Sequence, residues 1–262
     1  MKIRYGVSTL FALGESFGNI VKIIQRSRVE HWEIFDDGQH SISLARAKIL
    51  RKLARSREIT FSFHAPMAET NIGTLSRELA GPILERLQDS LDNASVARAD
   101  SWVLHPGVHT GLSWVYPGLD WKLNKDRIAS LTDYASRVCV RVLIENISTN
   151  AAILRDAKDF QRLYAEIGEF PLMVLDIGHS HIRGETEQYL RRFGRKIVHL
   201  HTHDNNGRQD QHLAVGAGNV DWKACAALLR ENNFNGTVIV ESARAPFASL
   251  SRIRKLLGPI QE

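Results

Sequence analysis

Between Lys196 and Asp221 the chain reads KIVHLHTHDNNGRQDQHLAVGAGNVD. Ile197, Val198 and Leu200 form a short apolar run of the kind that makes a buried strand. His201, His203 and Asp204 come where that strand should end, and Asp210 and His212 follow a Gly-containing loop. Neutral imidazole and ionised carboxylate both donate lone pairs to divalent first-row cations, so this density of the two points to metal binding. Five other apolar runs end in a residue of the same type: FSFHAP in His64, WVLHPG in His105, VLIEN in Glu145, MVLDIGH in Asp176 and VIVES in Glu241. Buried carboxylates and imidazoles are costly unless paired or bound to metal, so a shared metal site is the economical reading.

His179, three residues after Asp176, is within reach of the same place. Asp210 and His212 point the same way if their segment is extended. The ligand candidates are therefore His64, His105, Glu145, Asp176, His179, His201, Asp210, His212 and Glu241, enough for more than one ion. His199 alternates with His201 and is placed on the same side of its strand. His203 and Asp204 are expected either to orient ligands or to contact substrate. His109 and His181 read as loop histidines, and His31 and His40 carry no signal.

Elements that could bring these residues together are legible as apolar runs alternating with helical patterns. The runs are Ile3 to Ser8, His31 to Phe35, Ile59 to His64, Ser101 to His105, Val140 to Glu145, Leu172 to Asp176, Lys196 to His201 and Thr237 to Glu241. Helical segments are expected at Ser16 to Arg28, Ser43 to Ser56, Ser76 to Ala97, Lys125 to Arg137, Asp156 to Ile167, Glu185 to Phe193, Trp222 to Asn232 and Pro246 to Leu257. Apolar faces are predicted from Leu44, Ile49, Leu50 and Leu53 in the second and from Leu79, Ile83, Leu87, Leu91 and Ala94 in the third. A long loop is expected from Pro106 to Asn124, with Trp114, Tyr116 and Trp121 packing among themselves. Asp156 suits an N-cap and Pro246 a first helical position.

Strand-like runs alternating with helices imply parallel βαβ units, and eight of them fit a closed (β/α)8 TIM barrel, α/β in class, built from residues 1–262 as a single domain. In such a barrel the carboxyl ends of all strands open on one mouth, which is where its active sites lie. A doubly wound open sheet is disfavoured, because GVSTLFALG after the first strand lacks a G-x-G-x-x-G fingerprint.

The formal net charge of +5 suits an anionic substrate, but the basic residues are dispersed, so it does not choose between a small phosphorylated molecule and nucleic acid. The one dense cluster, Arg191, Arg192, Arg195 and Lys196, reads as a solvated helix end. Cys139 and Cys225 make no disulfide framework, and no apolar segment suits a signal peptide or a membrane span. A cytoplasmic protein is the expectation.

The ordered motifs HAP, HPG, EN, DIGH, HLHTHDNNG, DQHLAVGAG and VIVES, each at a strand end or in the loop after one, resemble the xylose-isomerase-like superfamily of barrels. The resemblance runs from Gly6 to Glu241. It takes in sugar and sugar-phosphate isomerases and epimerases, and the endonuclease IV enzymes of AP endonuclease family 2. The isomerase branch implies one metal, zinc or manganese, on Glu145, Asp176, His201 and Glu241. Glu145 and Glu241 would then also move a proton beside a carbonyl, with His179 on the substrate. His203, Asp204, Arg183, Arg208 and Arg244 would bind substrate, the arginines holding any phosphate or carboxylate. The endonuclease branch implies three zinc ions on all nine candidates, and DNA as partner.

Several positions depart from the endonuclease pattern. Met67 stands where those enzymes carry an aromatic residue, and Gln211 where they carry arginine. Gly6 is followed directly by Val7 and Ser8 rather than by a GxHxS sequence, and the second loop, DDGQHS, is acidic where a minor-groove binder needs basic side chains. The reading adopted from sequence is a metal-dependent sugar or sugar-phosphate isomerase or epimerase, carrying one to three divalent ions. A zinc endonuclease is the alternative, and binding without turnover is a third, weaker one.

Overall fold

Every one of the eight apolar runs becomes a strand. The computed structural model describes residues 3–168 and 170–258. The strands are β1 (Ile3–Ser8), β2 (His31–Phe35), β3 (Thr60–His64), β4 (Trp102–Leu104), β5 (Val142–Glu145), β6 (Leu172–Asp176), β7 (Ile197–Thr202) and β8 (Gly236–Val240). They pair in parallel in chain order, and β8 returns to β1 to close the barrel. The helices outside are α1 (Phe17–Arg26), α2 (Leu44–Arg57), α3 (Arg77–Ala97), α4 (Leu119–Arg137), α5 (Ala157–Ile167), α6 (Ile177–Arg183), α7 (Thr186–Phe193), α8 (Trp222–Glu231) and α9 (Pro246–Leu257). Among the described residues no helix is long and apolar enough to cross a membrane.

The helix starts follow from local chemistry. Ser16, Ser43 and Ser76 cap α1, α2 and α3 by accepting from the third helical N–H. Asp156 caps α5 in a reciprocal box with Asp159, and Pro246 opens α9. Two helical faces are narrower than the sequence pattern. In α2 the core side is Ala47, Leu50 and Leu53, while Leu44 and Ile49 are exposed. In α3 Leu87, Leu91 and Ala94 are buried and Leu79 is exposed.

Two stretches expected as loop are helical. α4 begins at Leu119, because Gly118 at φ 80° turns the chain and Asp120, Trp121 and Asn124 then pack inward. α6 starts immediately after β6, where the Asp176 side chain caps it by accepting from His179 N at 2.7 Å. The sequence pattern hid both, because neither segment carries a long apolar stripe.

The main core lies between sheet and helices, and a second apolar cluster of Val103, Leu143 and Val174 fills β4, β5 and β6 on the inner side. The inner surface of β2, β3 and β7 is polar, with His31, Glu33, Ser62 and His199 all fully buried. Gly6 on β1 makes room for this, since a Cβ there would stand 3.0 Å from the His31 ring and 2.6 Å from its carbonyl oxygen. Barrel interiors are ordinarily filled by branched apolar side chains, so this half is unusual.

Candidate metal centre

The strand ends deliver their ligand-type residues to one mouth. His64, Glu145 and Asp176 are the last residues of β3, β5 and β6, and His201 is next to last in β7. His105 and Glu241 stand one residue beyond β4 and β8. At the mouth these residues and the loop residues after them fall into three adjoining groups, each with donor atoms within 4.8 Å: His64, His105 and Glu145; then Glu145, Asp176, His201 and Glu241; then His179, His203, Asp210 and His212. A fourth group, Glu33, His199 and His201, shares His201 with the second.

Glu145 belongs to two groups at once. Its Oε2 lies 3.1 Å from His105 Nε2 and 3.5 Å from His64 Nε2, and those two nitrogens are 3.2 Å apart. Its Oε1 lies 3.0 Å from His201 Nδ1, which is 3.4 Å from Glu241 Oε2 and 3.9 Å from Asp176 Oδ2. In the third group, Asp210 Oδ2 is 2.9 Å from His179 Nε2, while its Oδ1 is 3.4 Å from His212 Nε2 and 3.5 Å from His203 Nε2. His203 Nε2 is also 3.1 Å from Asp176 Oδ1, which ties the third group to the second.

These spacings suit a cation. Ligands about 2.0–2.1 Å from a tetrahedral zinc lie roughly 3.3 Å from one another, close to the distances above. Asp176 Oδ2, His203 Nε2 and Glu241 Oε1 are buried without a hydrogen-bond partner, as atoms waiting for a positive charge would be.

The electrostatics agree with the geometry. Burial alone would raise the Glu145 carboxyl, but the His201 and His105 imidazoles outweigh it and hold its pKa well below the usual range. Burial opposes charge on His201 as well, yet Glu145, Glu241 and Glu33 raise its pKa well above an ordinary imidazole. Against the same penalty, Asp176 and Asp210 raise His179 to about 10, and Asp210 and Glu241 raise His212 to about 9. His105 goes the other way, lowered by burial that Glu145 only partly offsets.

Supporting contacts fix these side chains. Asn146 donates to Asp176 O at 3.1 Å and accepts from Asp176 N at 2.7 Å, and its carbonyl holds His179 Nδ1 at 2.8 Å. Gly178 leaves space for His203, whose ring would be 2.1 Å from a Cβ there. His212 sits at φ 45°, so Asp210 and His212 converge through a left-handed turn and not through the extended segment expected.

His203 and Asp204 are both fully buried, as are Asp176 and His201; His203 joins the third group, whereas Asp204 belongs to none of the groups. His203 stacks on His212 with ring centroids 3.9 Å apart. The Asp204 carboxylate accepts from Asn205 N, Val220 N, Gly216 N and Trp222 Nε1, and so folds the loop over β7. Arg183 donates to Asn150 at 2.9 Å, while Arg208 and Arg244 are exposed on the loops after β7 and β8.

His109 pairs with Asp120 at 2.5 Å and His181 with Asn219 at 2.7 Å, both away from the three groups. The three loop aromatics do not pack together. Trp121 is buried in α4 beneath the Arg162 guanidinium, whereas Trp114 is 89% exposed and Tyr116 is exposed beside it. Sequence reasoning missed Glu33 and passed over His31, the third and first residues of the run HWEIF. Their alternation on one face of β2 was the available signal.

The fold has close counterparts among solved structures. A D-tagatose 3-epimerase-like protein superposes with a TM-score of 0.90 at 24% identity, covering 98% of this chain and 97% of its own. A D-psicose 3-epimerase crystallised in the presence of D-fructose gives 0.79 at 16% identity over 99% and 100%. The IOLI protein with a bound zinc atom gives 0.78 at 17% identity over 98% and 96%. At these identities the likeness is one of fold. The description of one family, the xylose isomerase-like TIM barrels, matches residues 24–257. The chain therefore belongs to the xylose isomerase-like TIM barrel family.

Proposed function

We propose that this chain is a divalent-metal-dependent isomerase or epimerase of a sugar or sugar phosphate, working as a single barrel domain in a reducing compartment such as the cytoplasm. The observation that carries the reading is the four-ligand group of Glu145, Asp176, His201 and Glu241, with two glutamates beside one imidazole nitrogen. The sugar epimerases that share this fold support the same choice. A divalent ion held there, zinc or manganese by its oxygen and nitrogen donors, supplies a Lewis acid for a carbonyl or hydroxyl oxygen.

The proton transfers belong to the chain itself. Glu145, held ionised by its imidazole neighbours, takes a proton from the carbon next to the carbonyl. Glu241, entering the step as the carboxylic acid, returns one from its buried carboxyl, so the turnover leaves Glu145 protonated and Glu241 ionised until solvent resets them. Delivery from the opposite side inverts that carbon, and delivery to the neighbouring carbon moves the carbonyl. His179 Nε2 faces Asp210 and supplies positive charge near the reacting oxygens. Arg208 and Arg244 are the exposed guanidinium groups available to a phosphate or carboxylate end.

A second reading, hydrolysis of a phosphodiester in DNA, is favoured by one observation: two further ligand groups adjoin the first, one of them sharing Glu145. Adjacent ions suit in-line displacement at phosphorus. Metal-dependent exchange of solvent protons into a ketose, abolished in Glu145→Gln, supports the isomerase reading. Robust cleavage of a duplex carrying one abasic site, with no exchange into any ketose or aldose, overturns it in favour of the nuclease.

A further inference from the structure

Directly beneath the ligand groups the barrel holds a carboxylate that neither reading uses. Glu33, on β2, is fully buried. Its Oε1 lies 2.9 Å from His201 Nε2, and its Oε2 lies 3.1 Å from His199 Nε2 and accepts from Ser62 Oγ at 2.8 Å. Ser62 Oγ is also 3.1 Å from His31 Nε2, and His31 Nδ1 is 2.6 Å from Thr60 Oγ1. An ionised side chain at the centre of a barrel is expensive and persists only where other groups need it.

The His201 ring has two nitrogens, and they face different things. Nδ1 faces Glu145, Asp176 and Glu241, and Nε2 faces Glu33. A neutral imidazole carries one proton, so whichever nitrogen holds it, the other offers the lone pair. A proton on Nε2 leaves Nδ1 free for a cation among three carboxylates. A proton on Nδ1 instead leaves Nε2 free for a cation beside Glu33 and His199.

Charge decides between these. The upper group has three carboxylates and one imidazole, so it needs positive charge. The lower group has one carboxylate, already receiving the Ser62 hydroxyl. Glu33 Oε1 and His201 Nε2 are 2.9 Å apart but not aligned, so a small rotation of either side chain is all that the carboxylate needs to accept the Nε2 proton.

We infer that Glu33 is a positioning residue: it holds the Nε2 proton of His201 and thereby turns the Nδ1 lone pair toward the cation. Ser62 and His31 brace the carboxylate from below. Losing an outer carboxylate of this kind costs roughly 10–100-fold in metal affinity. This inference rests on the metal reading proposed above.

The test compares the full chain with Glu33→Gln and Ser62→Ala, using cobalt(II) as the probe and the ring nitrogen shifts of isotopically labelled histidine as the readout. In the parent protein, His201 is expected in the Nε2–H form with cobalt on Nδ1. Glu33→Gln is expected to weaken the cobalt site that contains His201 by 10–100-fold and to mix the two tautomers. Binding at His179, His203, Asp210 and His212 serves as the internal control and stays unchanged, which a merely structural role for Glu33 would not leave so. Ser62→Ala, a milder change, is expected to give a smaller loss in the same direction and answers the question if Glu33→Gln fails to fold. Equal affinity and an unmixed tautomer in whichever variant folds overturn the inference alone. An Nδ1–H signal in the loaded parent, with cobalt between Glu33 and His199, also overturns it. A parent protein that takes up no cobalt overturns the metal reading and this inference together.

Discussion

Substituting Glu145 by Gln separates the three ligand groups by count. The carboxylate reaches His64 and His105 through Oε2, and His201 through Oε1. Without it the first group keeps only two imidazole donors, fewer than the three protein ligands of an open zinc site, so its ion should be lost. The second group keeps Asp176, His201 and Glu241 and should weaken by more than the roughly 10–100-fold that follows loss of an outer partner. The third group takes no ligand atom from Glu145 and should keep its ion, with a modest change in affinity because Glu145 Oε1 lies 3.5 Å from His179 Nδ1. Elemental analysis after dialysis against a weak chelator should therefore find fewer zinc ions per chain in Glu145→Gln than in the parent; a chain loaded at all three groups falls from three to one or two. Asp210→Asn should remove only the third. If the parent holds a single ion, lost completely in Glu145→Gln and kept in Asp210→Asn, the three-group argument fails and the one-ion isomerase site remains. If Glu145→Gln keeps the full parental count, the reasoning about the bridging carboxylate is wrong altogether.

Gly178→Ala places a methyl 2.1 Å from the His203 ring, and overpacking of this kind costs about 1–3 kcal/mol; thermal unfolding should register it, and the third ion should bind more weakly. His179 and His212 have folded pKa values of about 10 and 9, above the free imidazole value, so their protonation stabilises the metal-free chain at low pH and that contribution fades as pH rises through those values. A cation needs the neutral rings, so affinity at the third group should climb with pH up to about 10, with proton release measurable in weakly buffered titrations. Asp36→Ala removes a buried carboxylate that accepts from Arg86, Ser90 and Ile42 N. Because Arg86 keeps 32% of its side chain exposed, the loss should lie at the low end of about 3–5 kcal/mol and appear as a fall in apo Tm with the metal count unchanged.

The sequence carried the barrel because alternation of short apolar runs with helical periods is a long-range pattern, repeated often enough to survive local errors. The strand-end ligands were legible for the same reason, since a polar residue closing an apolar run stands out. Glu33 and His31 did not stand out. They sit within a run instead of at its end, where a one-dimensional reading expects burial and nothing else. α6 was hidden because its start is fixed by the Asp176 side chain, which also reads as a ligand. His203 and Asp204 read as groups that either orient ligands or contact substrate because sequence shows that they follow a strand end, but not that the loop folds back onto the Asp204 carboxylate. That fold depends on Gly218, where a Cβ would lie 2.3 Å from Asp204 Oδ1.

The two halves of the barrel interior explain each other. β4, β5 and β6 fill their share with Val103, Leu143 and Val174, which gives the rim a rigid floor under His105, Glu145 and Asp176. These residues need no partner from below, because Glu145 and Asp176 already face imidazoles across the mouth. β7 differs, because His201 must present one nitrogen upward and so leaves the other pointing into the barrel. An apolar floor there would strand a polar nitrogen, at a cost of about 1–3 kcal/mol. A carboxylate on β2 answers that nitrogen and accepts from Ser62 beside His199, while Gly6 leaves space for the His31 ring that faces Ser62. On the proposed metal reading the polar half of the interior follows from the chemistry at the rim, and replacing it by aliphatic residues should leave a barrel that closes but binds a divalent cation poorly.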